Sequence, residues 1–316
     1  MTLPYYRPSG RIPRTGIAAV AAAGLAAASG AMVYAWLMVK AATFGMDLKL
    51  VCFLFSLSLI WIWLDGLTRR AVARGKIRNP AWMKRAGATI GLLAWYVQWS
   101  ALVVMDGVRA SGGEIDLTVI ESVVRLCLRP DELFVSAFII PLNNASGALT
   151  FGLVVCWVVE FWVHLLPPML AGRERAAMPF CEASDQWASK IELEPDFEPV
   201  ADPDAAQRLL EADPGYFMSM LVPRTADPVG THMRVTLYRC MGPDSFITVT
   251  HNEAMAPEAV PLPPEVFGAM VAAEPKSECF GEHPIVELLR IPAPDAEALL
   301  RRWMGDLQPG LVLSKP

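Results

Sequence analysis

One long stretch of the chain has no acidic residue, because none lies between Asp65 and Asp106. The same stretch carries seven basic residues and lies between two long apolar runs. The basic residues are Arg69, Arg70, Arg74, Lys76, Arg78, Lys84 and Arg85. Loops with such an excess of lysine and arginine are retained on the cytoplasmic side of a membrane. The missing acidic residues therefore predict a cytoplasmic loop in a multi-pass membrane protein.

Charged residues are scarce throughout, at 19% of the chain, whereas 54% of the residues are hydrophobic and the mean hydropathy is +0.36. This composition is typical of a membrane protein. Residues 1–170 contain 15 basic and 9 acidic residues, and residues 171–316 contain 12 basic and 23 acidic residues. The resulting balances of +6 and −11 indicate two regions in different surroundings.

After residue 170 no apolar run is long enough to cross a bilayer, and 18 of the 26 prolines lie there. Before residue 170, four stretches approach the roughly 20 apolar residues that a spanning helix needs. They are residues 16–39, 50–67, 86–105 and 148–166. The predicted fold is a membrane α-helical domain of four transmembrane helices, residues 16–170, followed by a small soluble α+β domain.

Basic residues also flank the first and fourth predicted helices. Arg7, Arg11 and Arg14 precede the first helix, and Arg173 and Arg175 follow the fourth. Together with the basic loop, they predict that both termini are cytoplasmic, with residues 1–15 as a cytoplasmic N-terminal segment. The predicted location is the bacterial inner membrane.

A cleaved signal peptide is the alternative for the N terminus, because basic residues, an apolar run and the small residues 26–28 follow one another. The apolar run continues through Tyr34, Trp36 and Val39, which is longer than the apolar region of a signal peptide. An uncleaved membrane helix is therefore favoured.

Residues 107–147, between the third and fourth helices, are predicted to form an interfacial segment. Apolar residues from Ile115 to Leu128 recur at helical spacing, with Glu121 and Arg125 on the opposite face. This pattern predicts an amphipathic helix at the membrane interface. The apolar run 131–142 is too short to span a bilayer, so it is predicted to be either re-entrant or interfacial.

Four polar residues fall within or at the ends of the predicted spans. Asp65 lies one helical turn before Arg69 and is expected to pair with it. Gln98 is expected to seek a hydrogen bond from another helix. Glu160 has His164 four residues later on the same face. An ionisable residue within a span is a functional candidate, so Glu160 and His164 could relay a proton, or Glu160 could pair locally with His164 or with Gln98.

The acidic half is divided into a linker, residues 171–205, and a cytoplasmic α+β domain, residues 206–316. Acidic residues alternate with prolines in the linker, which predicts an extended chain there. Within the domain, residues 233–240 and 245–252 predict a β-hairpin, and residues 216–222 could add a third strand. Helices are predicted at 204–211, 264–273 and 295–304.

The six cysteines lack the paired spacing of a disulfide framework or a zinc site. Cys181 and Cys240 each begin a C-x-x-C pattern whose second cysteine is missing, and Cys279 lies four residues before His283. These four residues are the weak candidates for a metal site, because a structural zinc needs four ligands. No metal and no cofactor are predicted.

Several catalytic motifs are missing as well. The chain has no Gly-rich phosphate loop, no His-Glu-x-x-His pattern and no Gly-x-Ser-x-Gly turn. These absences exclude the common forms of nucleotide hydrolase, zinc protease and serine hydrolase. The balance of −11 after residue 170 argues against nucleic acid as a partner.

Four segments together carry a resemblance to a bacterial family. They are residues 5–11, with the sequence YYRPSGR, residues 75–80, the Trp157/Glu160 helix, and Pro179-Phe180-Cys181-Glu182 before Trp187. In these segments the chain resembles a group of uncharacterised bacterial multi-pass inner-membrane proteins, whose segment after the membrane is similar to a zinc ribbon. The resemblance implies a degenerate ribbon here, because Ser184 stands where the second cysteine would be.

Three functions follow as hypotheses. The first is a non-enzymatic inner-membrane anchor that presents its acidic domain to a cytoplasmic protein partner or to a second copy of the chain. The second is a small transport or channel subunit that uses Glu160, His164 and Gln98. The third is a thiol or metal enzyme based on Cys181, Cys240, Cys279 and His283. The lipid bilayer is the expected surrounding in each case.

Overall fold

The computed structural model describes residues 5–43, 46–116, 118–144, 148–194, 196–224, 230–254 and 280–304. The chain divides into two compact units. The helical unit comprises residues 8–178. The sheet unit comprises residues 1–7 together with residues 179–316.

Among the described residues, four helices of the helical unit are long and apolar enough to cross a membrane, in agreement with the four predicted apolar stretches. They are α1 (Arg14–Ala41), α2 (Met46–Gly75), α3 (Pro80–Ala110) and α7 (Ala148–Ala177). Shorter helices lie between α3 and α7. They are α4 (Thr118–Cys127), α5 (Pro130–Phe134) and α6 (Ile140–Asn144), with a π-helical turn at Val135–Ile139 between α5 and α6.

The N-terminal segment and the predicted basic loop lie at the same end of the helical unit. The Gly10 N–H donates to the Arg78 carbonyl oxygen at 2.9 Å, and the Arg78 N–H donates to the Arg11 carbonyl oxygen at 3.0 Å. Arg69 of α2 bonds Glu174 of α7 at 2.9 Å near this end. The start of α1, the α2–α3 connection and the end of α7 are therefore together.

Helices α1 and α7 each pack against both α2 and α3, so α1 and α7 face each other across the bundle. The contact between α3 and α7 is unusually close at Gly87 and Gly91. A Cβ atom added to Gly91 would lie 2.3 Å from the His164 carbonyl oxygen, and one added to Gly87 would lie 2.1 Å from that of Pro168. Glycine lets these two backbones approach in the manner of a small-xxx-small helix pair.

The predicted amphipathic helix is present as α4, with its Glu121–Arg125 ion pair on the exposed face. Its Val119 and Val123 are buried against Ala35 of α1 and Met105 of α3. The helix therefore buries part of its apolar face against other helices, whereas Ile120 and Val124 remain exposed. The run 131–142 is helical, and Leu133 and Ala137 pack against Trp99 of α3.

The sheet unit contains a four-stranded antiparallel sheet in the order β3-β4-β5-β6. The strands are β3 (Ser189–Glu192), β4 (His232–Arg239), β5 (Asp244–Ala254) and β6 (Phe280–Pro292). A separate small hairpin joins β1 (Phe180–Cys181) to β2 (Gln186–Trp187). The predicted β4–β5 hairpin is thus present.

Three helices cover this sheet: α8 (Pro203–Ala212), α9 (Pro214–Met220) and α10 (Ala293–Met304). Asp202 and Asp213 cap the first two, because each carboxylate accepts a backbone N–H three residues later and is followed by proline. The helices and the sheet enclose one core. Its fully buried side chains include Phe197, Leu210, Met233, Leu237, Ile247, Leu289 and Leu299.

Two predictions for this half are wrong. Residues 171–205 are not an extended linker, because α7 continues to Ala177, β3 pairs with β4, and Phe197 is fully buried. Ile191 and Leu193 alternate with polar residues and face the core, and the acidic, proline-rich composition of the segment made this strand pattern hard to recognise. Residues 216–222 are not a strand, because α9 runs to Met220 from its Asp213 cap. The helix predicted at 264–273 lies outside the described residues.

The chain's N-terminal residues belong to the sheet unit. Tyr5 forms an antiparallel bridge with Leu289 on the outer edge of β6, and the Tyr6 N–H donates to the Leu288 carbonyl oxygen at 2.9 Å. The Tyr6 ring packs edge-on against Phe246, with centroids 5.0 Å apart. Tyr5 and Tyr6 therefore cover an edge that would otherwise expose backbone donors and acceptors.

Candidate functional site

Glu160 lies on α7 and is almost completely buried in the helical unit. The hydroxyl of Tyr34, on α1, donates to its Oε1 at 2.9 Å. The side-chain amide of Gln98, on α3, donates from Nε2 to its Oε2 at 3.3 Å. Each carboxylate oxygen therefore has a donor from a different helix, and we call Tyr34, Gln98, Glu160 and His164 the Glu160 cluster.

His164 lies one turn further along α7 and is fully buried. Its Nδ1 is 2.8 Å from the backbone carbonyl oxygen of Glu160, so the ring does not bond the carboxylate. It packs edge-on against Tyr34, with ring centroids 6.0 Å apart. The predicted bond between Glu160 and Gln98 is confirmed, whereas direct pairing of the Glu160 carboxylate with the His164 ring is wrong.

Two polar atoms of the cluster have no hydrogen-bond partner among the residues that the structure describes. They are Gln98 Oε1 and His164 Nε2. A buried polar atom costs free energy unless it is paired. The Gln98 side-chain amide can flip, so that its oxygen faces residue 160 as an acceptor in place of its NH2 donor.

The arrangement ties three helices together through one side chain. Burying a charged or polar group in hydrocarbon is costly, and hydrogen bonds across helices offset that cost. The neighbouring buried residues are apolar, including Leu64 and Ile60 of α2 and Ala94 of α3. The geometry suits an acceptor that holds α1 and α3 against α7.

Asp65 is placed at the end of the bundle that holds the basic loop. Its Oδ2 accepts from Arg69 Nε at 2.8 Å, so the predicted pair is present. Arg69 bonds Glu174 of α7 at the same time, at 2.9 Å. Both carboxylates are partly exposed, so the three groups form a surface network of modest strength.

Tyr34 is the member of the cluster that the sequence analysis missed as a partner. A tyrosine within an apolar helix carries a hydroxyl that needs a partner when it is buried, and that was the available signal. Gly87 and Gly91 were missed as well, although their spacing of four residues is the pattern of close helix contacts.

The cysteine candidates lie in the sheet unit, and the structure brings two of them together. Cys181 ends β1 and Cys240 follows β4, and both side chains lie in one buried cluster with Phe246. On β6, His283 pairs with His251 of β5. The end of β5 that is near Cys240 is the opposite one, where Ser245 pairs with Ile291. His283 is therefore remote from the thiols. Cys279 lies outside the described residues.

Among the described residues, no group of three or more His, Cys, Asp or Glu side chains is arranged to hold a metal ion. Comparison with known proteins adds no relative: no family model matches the chain, and neither a curated protein nor a solved structure is significantly similar to it.

Proposed function

We propose that the chain is a non-enzymatic, multi-pass anchor of the bacterial inner membrane, which presents its acidic sheet unit to a protein partner in the cytoplasm. One observation carries the proposal. The sheet unit is joined to the helical unit twice, once between Arg7 and Pro8 and once between Met178 and Pro179. A domain with two attachments to a membrane bundle is suited to being held at the membrane surface.

The double attachment also supports the proposed topology. Tyr5 and Tyr6 precede α1 and pair with β6, which belongs to the domain that follows α7. This contact supports a topology in which the two ends of the four-helix region lie on one side of the membrane. The basic α2–α3 connection lies at this same end, which favours the cytoplasmic side.

The surface of the sheet unit supports a protein as partner. Residues 171–316 carry a balance of −11, which suits a basic protein surface and opposes nucleic acid. Exposed apolar side chains on this unit include Tyr216 and Met220, four residues apart on α9, and Val222 just after it. Aromatic and methionine side chains are enriched in protein interfaces.

Transport through the bundle is the second candidate, and the buried Glu160 cluster favours it. We rank it below anchoring because both oxygens of the carboxylate are held by donors from neighbouring helices.

The topology can be tested by labelling introduced cysteines in a variant whose native cysteines are replaced by serine. We choose Ser111→Cys and Arg74→Cys, because both positions are exposed. Gly75 is unsuitable, since an added Cβ would lie 2.6 Å from the Gly16 Cα atom. In intact spheroplasts, a membrane-impermeant maleimide is expected to label Ser111→Cys, and to label Arg74→Cys only after permeabilisation. The reverse pattern would contradict the topology.

The anchoring role can be tested by crosslinking in native membranes, followed by identification of the attached proteins. Deletion of residues 179–316 is expected to remove a specific crosslinked partner, while Glu160→Gln retains it. Transport would replace anchoring under two conditions. The wild type would support proton entry into proteoliposomes and Glu160→Gln would abolish it, and the deletion would change no crosslink.

A further inference from the structure

Two thiols from separate parts of the chain meet in the sheet unit. Cys181 ends β1, and Cys240 lies 59 positions later, directly after β4. The two side chains belong to one buried cluster, and each is only 8% exposed. They pack with Phe246, and the rings of Tyr6 and Tyr238 lie against the same cluster. Neither cysteine forms a disulfide.

The turn after β1 makes the two thiols unequal. Burial by itself raises the pKa of the Cys181 thiol, but the nearby Ser184 side chain, the backbone N–H groups of Ser184 and Ala183, and the Cys240 side chain hold that pKa below its usual value. Burial and the neighbouring Cys181 sulfur raise the pKa of Cys240 to about 12. The Cys181 thiol therefore loses its proton more readily than the Cys240 thiol, and the thiolate is the nucleophilic form.

The approach of the two segments depends on Gly242, in the turn between β4 and β5. A Cβ atom at this position would lie 3.1 Å from Cys181 Sγ, so a larger residue would crowd the sulfur. Beside the thiols a cleft of about 360 Å³ opens to the surface. The charged side chains that line it are Arg7, Glu182, Asp244 and Arg290. A small polar oxidant can reach Cys181 through this cleft.

We propose that Cys181 and Cys240 form a redox switch that reacts with hydroperoxides. The Cys181 thiolate attacks one peroxide oxygen, the O–O bond breaks, and hydroxide leaves, so that Cys181 becomes a sulfenic acid. The Cys240 sulfur then attacks Cys181 Sγ, the S–O bond breaks, and water leaves with the Cys240 proton. In total, two thiols and one hydrogen peroxide give one disulfide and two waters.

Redox chemistry fits this pair better than metal binding. A closed zinc site needs four ligands, and in the described part of the sheet unit only these two thiols converge. In a reducing cytoplasm, a disulfide that forms from such a pair is transient and suited to sensing rather than to permanent stabilisation. The switch would change the sheet unit without involving the Glu160 cluster, so it goes beyond anchoring and does not depend on it.

The test uses the full purified chain in detergent, first reduced and then exposed to hydrogen peroxide at neutral pH. N-ethylmaleimide should block all six cysteines of the reduced chain and two fewer after oxidation. Peptide mapping should find Cys181 linked to Cys240. In Cys240→Ser, Cys181 is expected to remain a sulfenic acid that dimedone captures, whereas Cys181→Ser should capture none at Cys240.

Cys156→Ser is the matched control, because it removes an exposed thiol of the helical unit and should leave the reaction unchanged. A second measurement needs no variant at this pair: in the reduced wild type, Cys181 should react with iodoacetamide at least several-fold faster than Cys240. Equal rates, a disulfide between other cysteines, or about one zinc per chain that protects both thiols would each overturn the proposal.

Discussion

Gly91→Leu is expected to prevent α3 and α7 from packing and to leave the helical unit unable to unfold cooperatively. The reason is that a Cβ atom at Gly91 would lie 2.3 Å from the His164 carbonyl oxygen, 3.0 Å from its carbon and 3.1 Å from the Leu165 Cα atom. All three are backbone atoms, so no side chain can rotate away. The milder Gly91→Ala should cost about 1–3 kcal/mol of unfolding free energy, in the range of overpacked cores.

Gly107→Ala is the matched control on the same helix. Gly107 is exposed, and an added Cβ would meet nothing within 4 Å. Gly24→Ala, on α1, is a second control, because its nearest contact would be an ordinary 3.6 Å to Leu93. Denaturation with increasing sodium dodecyl sulfate in mixed micelles measures all three. A Gly91→Ala protein as stable as Gly107→Ala would refute the close α3–α7 contact.

Glu160→Leu is expected to destabilise the helical unit by about 1–3 kcal/mol, because it leaves the Tyr34 hydroxyl and the Gln98 amide without their acceptor. Glu160→Gln is expected to be close to the wild type. Its carbonyl oxygen can accept from Tyr34, and its amide can donate to Gln98 Oε1, which has no other partner in the described bundle. The same detergent denaturation compares the two variants.

Val159→Leu provides the control for Glu160→Leu, since Val159 is the adjacent, exposed residue of α7. Tyr34→Phe should reproduce part of the Glu160→Leu effect, and the double variant should be less destabilised than the sum of the two single ones. A well-folded Glu160→Gln protein that has lost a pH-dependent flux in proteoliposomes would show that Glu160 carries protons and that the structural role is wrong.

The sequence predicts the secondary structure of the helical unit better than that of the sheet unit. In the helical unit, length and hydropathy suffice, because a bilayer requires about 20 apolar residues in each span whatever their partners are. In the sheet unit, β6 was not predicted. Leu288 has a positive φ of 55°, the pairing with β5 shifts register nearby, and Pro284 lies within the strand. These irregularities break the alternation of period two that sequence reasoning depends on.

Among the polar candidates, contacts within one helix could be predicted, whereas contacts between distant parts of the chain could not. The pairing of Asp65 with Arg69 was predictable, because residues four apart on a helix are always neighbours. The partner of Glu160 across the bundle was not, since Tyr34 lies 126 positions away and reaches it only because α1 and α7 face each other. Cys181 and Cys240 could be identified as two incomplete motifs, but their meeting depends on how β1 and the β4–β5 turn approach.

Hydropathy and charge are properties of each segment alone, so the four long apolar helices and the acidic, proline-rich half could be predicted from the sequence. The folded chain was needed to show that residues 5–7 complete the sheet unit, that Glu160 accepts from Tyr34 and Gln98, and that two single cysteines lie together. Each of these depends on contacts between residues distant in the chain, whose geometry is set by packing of whole elements rather than by any local pattern.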